Sequence, residues 1–194
     1  GKQPSAPAIG LGGIIYASSG WPEERIYAIA PADGQILWER PDGQGPANPF
    51  GGFSAPTVAP NGTVYVGNVS KFVHAFDGAS GTPNWGFESE KIFMTSPSLG
   101  ADGRVYVGDG DSKLYALNGA TGDKIWEFED SGGVLGIWSS VAIGQGGTLY
   151  LGGATSRVIA INHTNGALLW EFAVGGGVTS SPALGADGIV YAVA

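Results

Sequence analysis

The chain has 194 residues, 43% of them hydrophobic and 13% charged, with a formal net charge of −8 and no cysteine. This is the composition of a folded protein, and it excludes disulfides, thiolate metal sites and Cys nucleophiles. The nine Lys and Arg are scattered singly, which makes nucleic acid and anionic membrane surfaces poor partners, and no apolar run reaches the roughly 18 residues of a membrane-spanning helix.

Taken in chain order, the predicted elements are short strands in repeating groups. Thirty-five glycines and twelve prolines without a collagen-like period suit tight turns, and no stretch shows a helical apolar period. Tyr16, Tyr65, Tyr106, Tyr150 and Tyr191 each follow by nine residues the position of Pro7, Pro56, Pro97, Val141 and Pro182. The resulting periods of 49, 41, 44 and 41 residues are the length of a four-stranded antiparallel unit with short turns. The expected units are 3–40, 53–88, 94–129 and 137–173, with a half unit at 178–194. The third is the clearest, with strands at Met94–Leu99, Arg104–Gly108, Lys113–Leu117 and Lys124–Phe128 and an Asp102-Gly103 hairpin signal between the first two. One such sheet cannot bury both faces, so the units must pack on one another, and a β-propeller is the expected fold. The half unit ends after the Tyr191 strand, and residues 1–10 already serve blade one. The expectation is therefore either a segment of a longer propeller or a ring completed by a second chain, with edge-to-edge association in both cases.

The turn before the last strand of each unit carries Ala-x-Asp/Asn-x-x-x-Gly-x-x-x-Trp. It reads Ala116-Leu117-Asn118-Gly119-Ala120-Thr121-Gly122-Asp123-Lys124-Ile125-Trp126 in the third unit. Ala75 to Trp85 (with Asp77 and Gly81) and Ala160 to Trp170 (with Asn162 and Gly166) match in register; Ala28 to Trp38 keeps Gly34 but has Ala30 in the acid position. With the Thr95-Ser96-Pro97 and Val105-Tyr106-Val107 segments, this frame resembles the tryptophan-docking motif of PQQ-like repeats, the blades of quinoprotein alcohol dehydrogenase-like propellers. The resemblance implies that Trp38, Trp85, Trp126 and Trp170, with Gly34, Gly81, Gly122 and Gly166, hold blades together. The glycine is expected to supply a positive φ and the Asp or Asn to accept a turn N–H. It also implies kinship with a propeller lipoprotein of outer-membrane β-barrel assembly and with propeller sensor domains.

No cofactor-site motif of the dehydrogenase branch can be matched, so the resemblance carries the scaffold and no cofactor or catalytic residue. Asp109-Gly110-Asp111-Ser112 has the look of an oxygen-rich metal loop but lacks the distal ligands, and reads as a hairpin turn. His74 and His163 are isolated, and Ser139-Ser140 and Ser180-Ser181 recur at one blade position, which favours strand geometry over nucleophiles. Gly175-Gly176-Gly177 joins two strands and opens no phosphate-binding helix. The residues outside the frame are Trp21, Phe50, Phe53 and Trp138 on the irregular loops, read either as partner contacts, with protein or glycan, or as loop packing. The expected function is a non-catalytic binding or assembly scaffold, extracytoplasmic, with a protein partner or self-association and no membrane insertion. The alternative is a fragment of a quinone-dependent dehydrogenase whose cofactor site lies in other blades.

Overall fold

A computed structural model describes residues 5–20, 25–41, 54–93, 95–130, 137, 139–153, 156–178 and 180–193. The chain divides into two compact units, Gly1–Pro97 and Ser98–Ala194. The first contains two antiparallel sheets, β1–β4 (Ala8–Ile9, Ile15–Ser18, Arg25–Ile29, Ile36–Pro41) and β5–β8 (Thr57–Val58, Thr63–Gly67, Phe72–Asp77, Pro83–Glu88). The second contains β9–β12 (Ser98–Leu99, Arg104–Gly108, Lys113–Asn118, Lys124–Glu129) and β13–β16 (Ala142–Ile143, Leu149–Gly153, Arg157–Ile161, Leu168–Ala173). It also holds the pair β17–β18 (Ala183–Leu184, Val190–Tyr191). In every sheet each strand pairs with the next in sequence, so the fold is all-β and made of β-propeller blades: four complete, plus a two-stranded fifth among the described residues. The first strand of blade three is shorter than the sequence suggests. Among the described residues of the expected Met94–Leu99 only Ser98–Leu99 is strand, directly after Pro97, which has no N–H to give to a ladder; Met94 lies outside the described residues.

One cross-strand row explains the repeated residue types. The second-strand Tyr, the third-strand Ala and the fourth-strand Trp lie side by side: Tyr16–Ala28–Trp38, Tyr65–Ala75–Trp85, Tyr106–Ala116–Trp126 and Tyr150–Ala160–Trp170. Over the alanine the two rings meet, with centroids 5.9, 5.7, 5.9 and 5.8 Å apart in blades one to four. The alanine therefore makes room for the two rings of its own blade; any larger side chain would separate them. Directly after each of these alanines the register shifts by a bulge, between Ala28/Ile29, Ala75/Phe76, Ala116/Leu117 and Ala160/Ile161. The bulge twists the strand end into the docking turn.

That turn is closed by Gly34, Gly81, Gly122 and Gly166, at φ of 73°, 69°, 79° and 73°, whose N–H groups donate to the carbonyls of Ala30, Asp77, Asn118 and Asn162. The side chains of Asp77, Asn118 and Asn162 accept the N–H of Ser80, Ala120 and Thr164 at 2.8, 2.9 and 2.8 Å. Bonds from the Ser80 N–H and hydroxyl hold the Asp77 carboxyl below its ordinary pKa.

The apolar core lies between blades. In the first unit Tyr16, Ile26 and Trp38 of blade one pack with Val64, Val66 and Phe76 of blade two. In the second, Tyr106 and Leu114 of blade three pack with Leu149, Leu151, Ile159 and Ile161 of blade four.

Candidate functional site: the grooves between neighbouring blades

Within each unit the indole of one blade meets the docking turn of the next. Trp38 Nε1 donates to the Gly78 carbonyl at 2.7 Å, and its ring covers Gly81 so closely that a Cβ there would lie 2.5 Å away. Trp126 Nε1 donates to the His163 carbonyl at 2.9 Å, and its ring covers Gly166, where a Cβ would lie 2.8 Å from it. An arginine joins each contact. Arg40 donates to the carbonyls of Gly81 (2.8 Å) and Ser80 (3.2 Å), and Arg104 to those of His163 (2.6 Å) and Thr164 (3.3 Å). These carbonyls sit at a turn without strand partners, so cationic and indole donors satisfy them. Arg157 adds an ion pair from blade four to Asp130 of blade three at 2.7 Å, and a second to Glu171 of its own blade at 2.6 Å. Trp170 is 43% exposed, with Leu168 and Phe172 exposed on the same side of β16.

Beside these contacts, the hairpins joining the first two strands of adjacent blades leave grooves. In the second unit a groove of about 410 Å³ runs between blades three and four, with Tyr106 and Ile143 on its floor and Asp102, Gln145 and His163 on its walls. A second, of about 260 Å³, runs between blades four and five and is lined by Ile143, Gln145, Tyr150 and Asp187. The turn Gly144–Gly147 forms a wall of the first, and Gly144 and Gln145 belong to both.

Two substitutions within the repeat shape the larger groove. Ala101 stands five residues before Tyr106, where Leu11 stands before Tyr16. In the first unit Leu11 closes over Gly62 of blade two, so that a Cβ on Gly62 would lie 3.2 Å from Leu11 Cδ1; the methyl of Ala101 cannot reach across in the same way. His163 stands where blades two and three have Gly78 and Gly119. Gly78 is packed so tightly against the Gly62 carbonyl and the Tyr16 hydroxyl that a Cβ there would clash, and its N–H donates to Gly62 O at 3.1 Å. His163 has a Cβ and lays its imidazole over Gly147. The imidazole of His163 thus takes over Gly147 the place that Leu11 takes over Gly62.

The titratable groups of this groove are already engaged. The Tyr106 hydroxyl donates to Asp102 Oδ2 at 3.5 Å, and burial first, then the Asp102 charge, pushes the phenol up to about 12. Asp102 Oδ1 accepts the Arg104 N–H at 3.2 Å, and Oδ2 pairs with Arg104 Nε at 3.4 Å.

The other residues that resembled chemistry serve the backbone. Asp109 is fully buried; Oδ1 accepts the N–H of Asp111 (2.9 Å) and Lys113 (3.1 Å), and Oδ2 accepts the Tyr115 hydroxyl at 2.9 Å. Asn68, at the same position of blade two, accepts the Phe72 N–H at 2.7 Å and meets His74 Nε2 at 3.3 Å, while the His74 ring stacks on Phe72. Among the described residues no three His, Asp or Glu side chains gather as metal ligands. Ser5, Ser54, Thr95, Ser139 and Ser180 all stand eleven residues before the blade's Tyr. Ser139 Oγ accepts the Gly152 N–H at 2.8 Å and donates to its carbonyl at 2.9 Å; Ser180 does the same to Val193, at 3.4 and 3.1 Å. Ser5 and Ser54 accept the N–H of Ser18 and Gly67. In blades four and five the hydroxyl replaces a ladder pair at the start of the inner, first strand, whereas in blades one and two the Ser5 and Ser54 N–H groups still donate to the Ser18 and Gly67 carbonyls, at 3.1 and 2.7 Å.

Trp21, Phe50, Phe53 and Trp138 lie outside the described residues. The grooves escaped attention in the sequence because alanine, glutamine and glycine at a turn carry no chemical flag. The available signal was positional: aligned by its tyrosines, the repeat places His163 against two glycines and Ala101 against Leu11.

A family model described as outer membrane protein assembly factor BamB, built of PQQ repeats, matches residues 22–194. No curated protein matches the chain.

Proposed function

The chain belongs to the PQQ-repeat propeller family described as outer membrane protein assembly factor BamB, and from that premise we propose that it is a non-catalytic scaffold that binds a protein partner outside the cytoplasm. The observation that carries this reading is where the polar side chains are spent. Asp109, Asn68, His74 and Ser139 bind turns and strands of their own blades, and Tyr106, Asp102 and Arg104 bind one another. Groups so committed hold a surface still, and a rigid surface loses little conformational freedom on binding. In this scaffold Trp38, Trp85, Trp126 and Trp170 with their turn glycines are the blade-docking residues, and Trp21, Phe50, Phe53 and Trp138 are contacts for a protein or a glycan.

The test pairs a cofactor assay with a binding assay. Pyrroloquinoline quinone with calcium is expected to leave Tm and the visible spectrum unchanged, while photo-crosslinkers at the blade hairpins capture a defined protein partner. A saturable rise in Tm with quinone would overturn the scaffold reading, because a bound ligand stabilises by RT ln(1 + [L]/Kd), about 2.7 kcal/mol at a hundredfold excess over Kd.

A further inference from the structure

We propose that the free edge of β18 and the exposed Trp170 of β16 form one receiving surface for a β-hairpin that carries the repeat's own Ala-x-Asp/Asn-x-x-x-Gly-x-x-x-Trp frame and fills the outer half of blade five. This goes beyond the scaffold reading and does not depend on it.

The surface lies wholly within the second unit. β17 and β18 pair as the first two strands of blade four do: Ala183 stands opposite Tyr191 and Leu184 opposite Val190, as Ala142 stands opposite Tyr150 and Ile143 opposite Leu149. The Ser140 N–H donates to Ser181 Oγ at 3.0 Å and ties the pair to blade four. In each complete blade a third strand takes the far edge of the second, and the tyrosine of the row meets the tryptophan of the fourth strand, which leaves Tyr106 1% exposed. Tyr191 holds the same place in blade five and is 56% exposed. The edge is also unguarded. Residues 189–193 read Ile-Val-Tyr-Ala-Val, without a charge, whereas the outer strands β4, β8, β12 and β16 carry Glu39, Glu88, Glu127 and Glu171.

Trp170 is the other part of the surface. Trp38 and Trp126 each meet the docking turn of the following blade at two points, a carbonyl three residues after the frame alanine and a glycine six residues after it: Gly78 and Gly81 after Ala75, His163 and Gly166 after Ala160. Trp170 belongs to the same row but is 43% exposed, against 7% for Trp38, and the blade that follows it has only β17 and β18 among the described residues. One hairpin answers both exposed rings. A third strand that sets an alanine opposite Tyr191 places the carbonyl and the glycine of its turn at Trp170, and its returning strand brings a tryptophan back over that alanine to Tyr191. A single extended strand would supply the ladder to β18 and neither tryptophan contact.

The test extends the full chain. Ala194 stands three residues after Tyr191, as Gly153 stands three residues after Tyr150, so a copy of residues 154–173 appended after Ala194 continues blade five in the register of blade four. In protein labelled with 5-fluorotryptophan, the fluorine resonance of Trp170, assigned with Trp170→Phe, should lose at least about half of its shift between light and heavy water when the copy is present. Gly166→Val made in the appended copy alone should restore the solvent response, because the added side chain stands where the indole must lie. Tyr191→Ser, which removes the ring that anchors the hairpin, should restore at least about half of it. A Gly-Ser tail of the same length should shield nothing. The proposal is overturned if Trp170 responds to solvent equally with and without the copy, if the Gly-Ser tail or the Gly166→Val copy shields it as well, or if Tyr191→Ser leaves the shielding unchanged. It is also overturned if the wild-type chain shields Trp170 by itself as a dimer in sedimentation, since the occupant would then be the edge of a second copy. The readout involves neither quinone nor a partner protein, so its failure would leave the scaffold reading in place.

Discussion

Each complete blade sets an alanine between two aromatic rings, and the size of that alanine is a quantitative constraint. Ala116 is fully buried, with Tyr106 and Trp126 converging over it at 5.9 Å. Two added methyl groups must displace one ring, so Ala116→Val should cost about 1–3 kcal/mol, read as a lower denaturant midpoint with an unchanged slope. Trp126 probes the contact between blades. Removing the indole in Trp126→Ala should cost about 3–5 kcal/mol. Trp126→Phe, which keeps a ring, should cost only about 0.5–1.5 kcal/mol, because the His163 carbonyl retains its bond from Arg104. Tyr106 carries a pH signature. Its folded pKa of about 12 lies above the ordinary value of 10, so the folded state holds the proton longer than the unfolded one. Its contribution is fully present below pH 10 and is lost as pH rises from 10 to 12. Tyr16 and Tyr65 shift in the same direction through burial, so Tyr106→Phe should flatten part of the alkaline fall in stability and leave the rest. Equilibrium unfolding at pH 8 to 12 measures the difference.

Among the elements, the inner strand of each blade is the one the sequence revealed least. The Tyr, Gly and Trp positions were legible because strand register and turn geometry fix their spacing, and those spacings recur with few changes. The recurrence of Ser139 and Ser180 was legible too, and it pointed to strand geometry, but a hydroxyl pairing with both backbone groups of one opposite residue leaves no separate mark. Ser139→Ala removes both bonds from the buried Gly152 backbone and should cost about 1–3 kcal/mol. Ser180→Ala, at a half-buried position, should cost less. Ser139→Thr keeps the hydroxyl and should recover most of the loss; thermal unfolding of the three variants side by side checks the ranking. The grooves were illegible for the opposite reason: they arise from differences between repeats, at Ala101 and His163, whereas the family frame is built from what the repeats share.

For the whole molecule, charge and exposed apolar surface act against each other. A net charge of −8 keeps copies apart at neutral pH, and that repulsion vanishes near the sequence pI of about 4.5. β16 meanwhile exposes Leu168, Trp170 and Phe172 at 46, 43 and 65%. Turbidity should therefore peak near pH 4.5, and Phe172→Lys should lower the peak by interrupting the apolar row without touching a buried contact.

The hydroxyl pairing also bears on how a blade opens. In blade four the inner strand shares two ladder positions with its neighbour, Ala142 with Tyr150 and Ile143 with Leu149, whereas each of the two remaining pairs of strands shares five. With fewer backbone bonds to break, the amides of the inner strand are expected to exchange ahead of those in the other three strands of the blade, which hydrogen exchange at blade four checks.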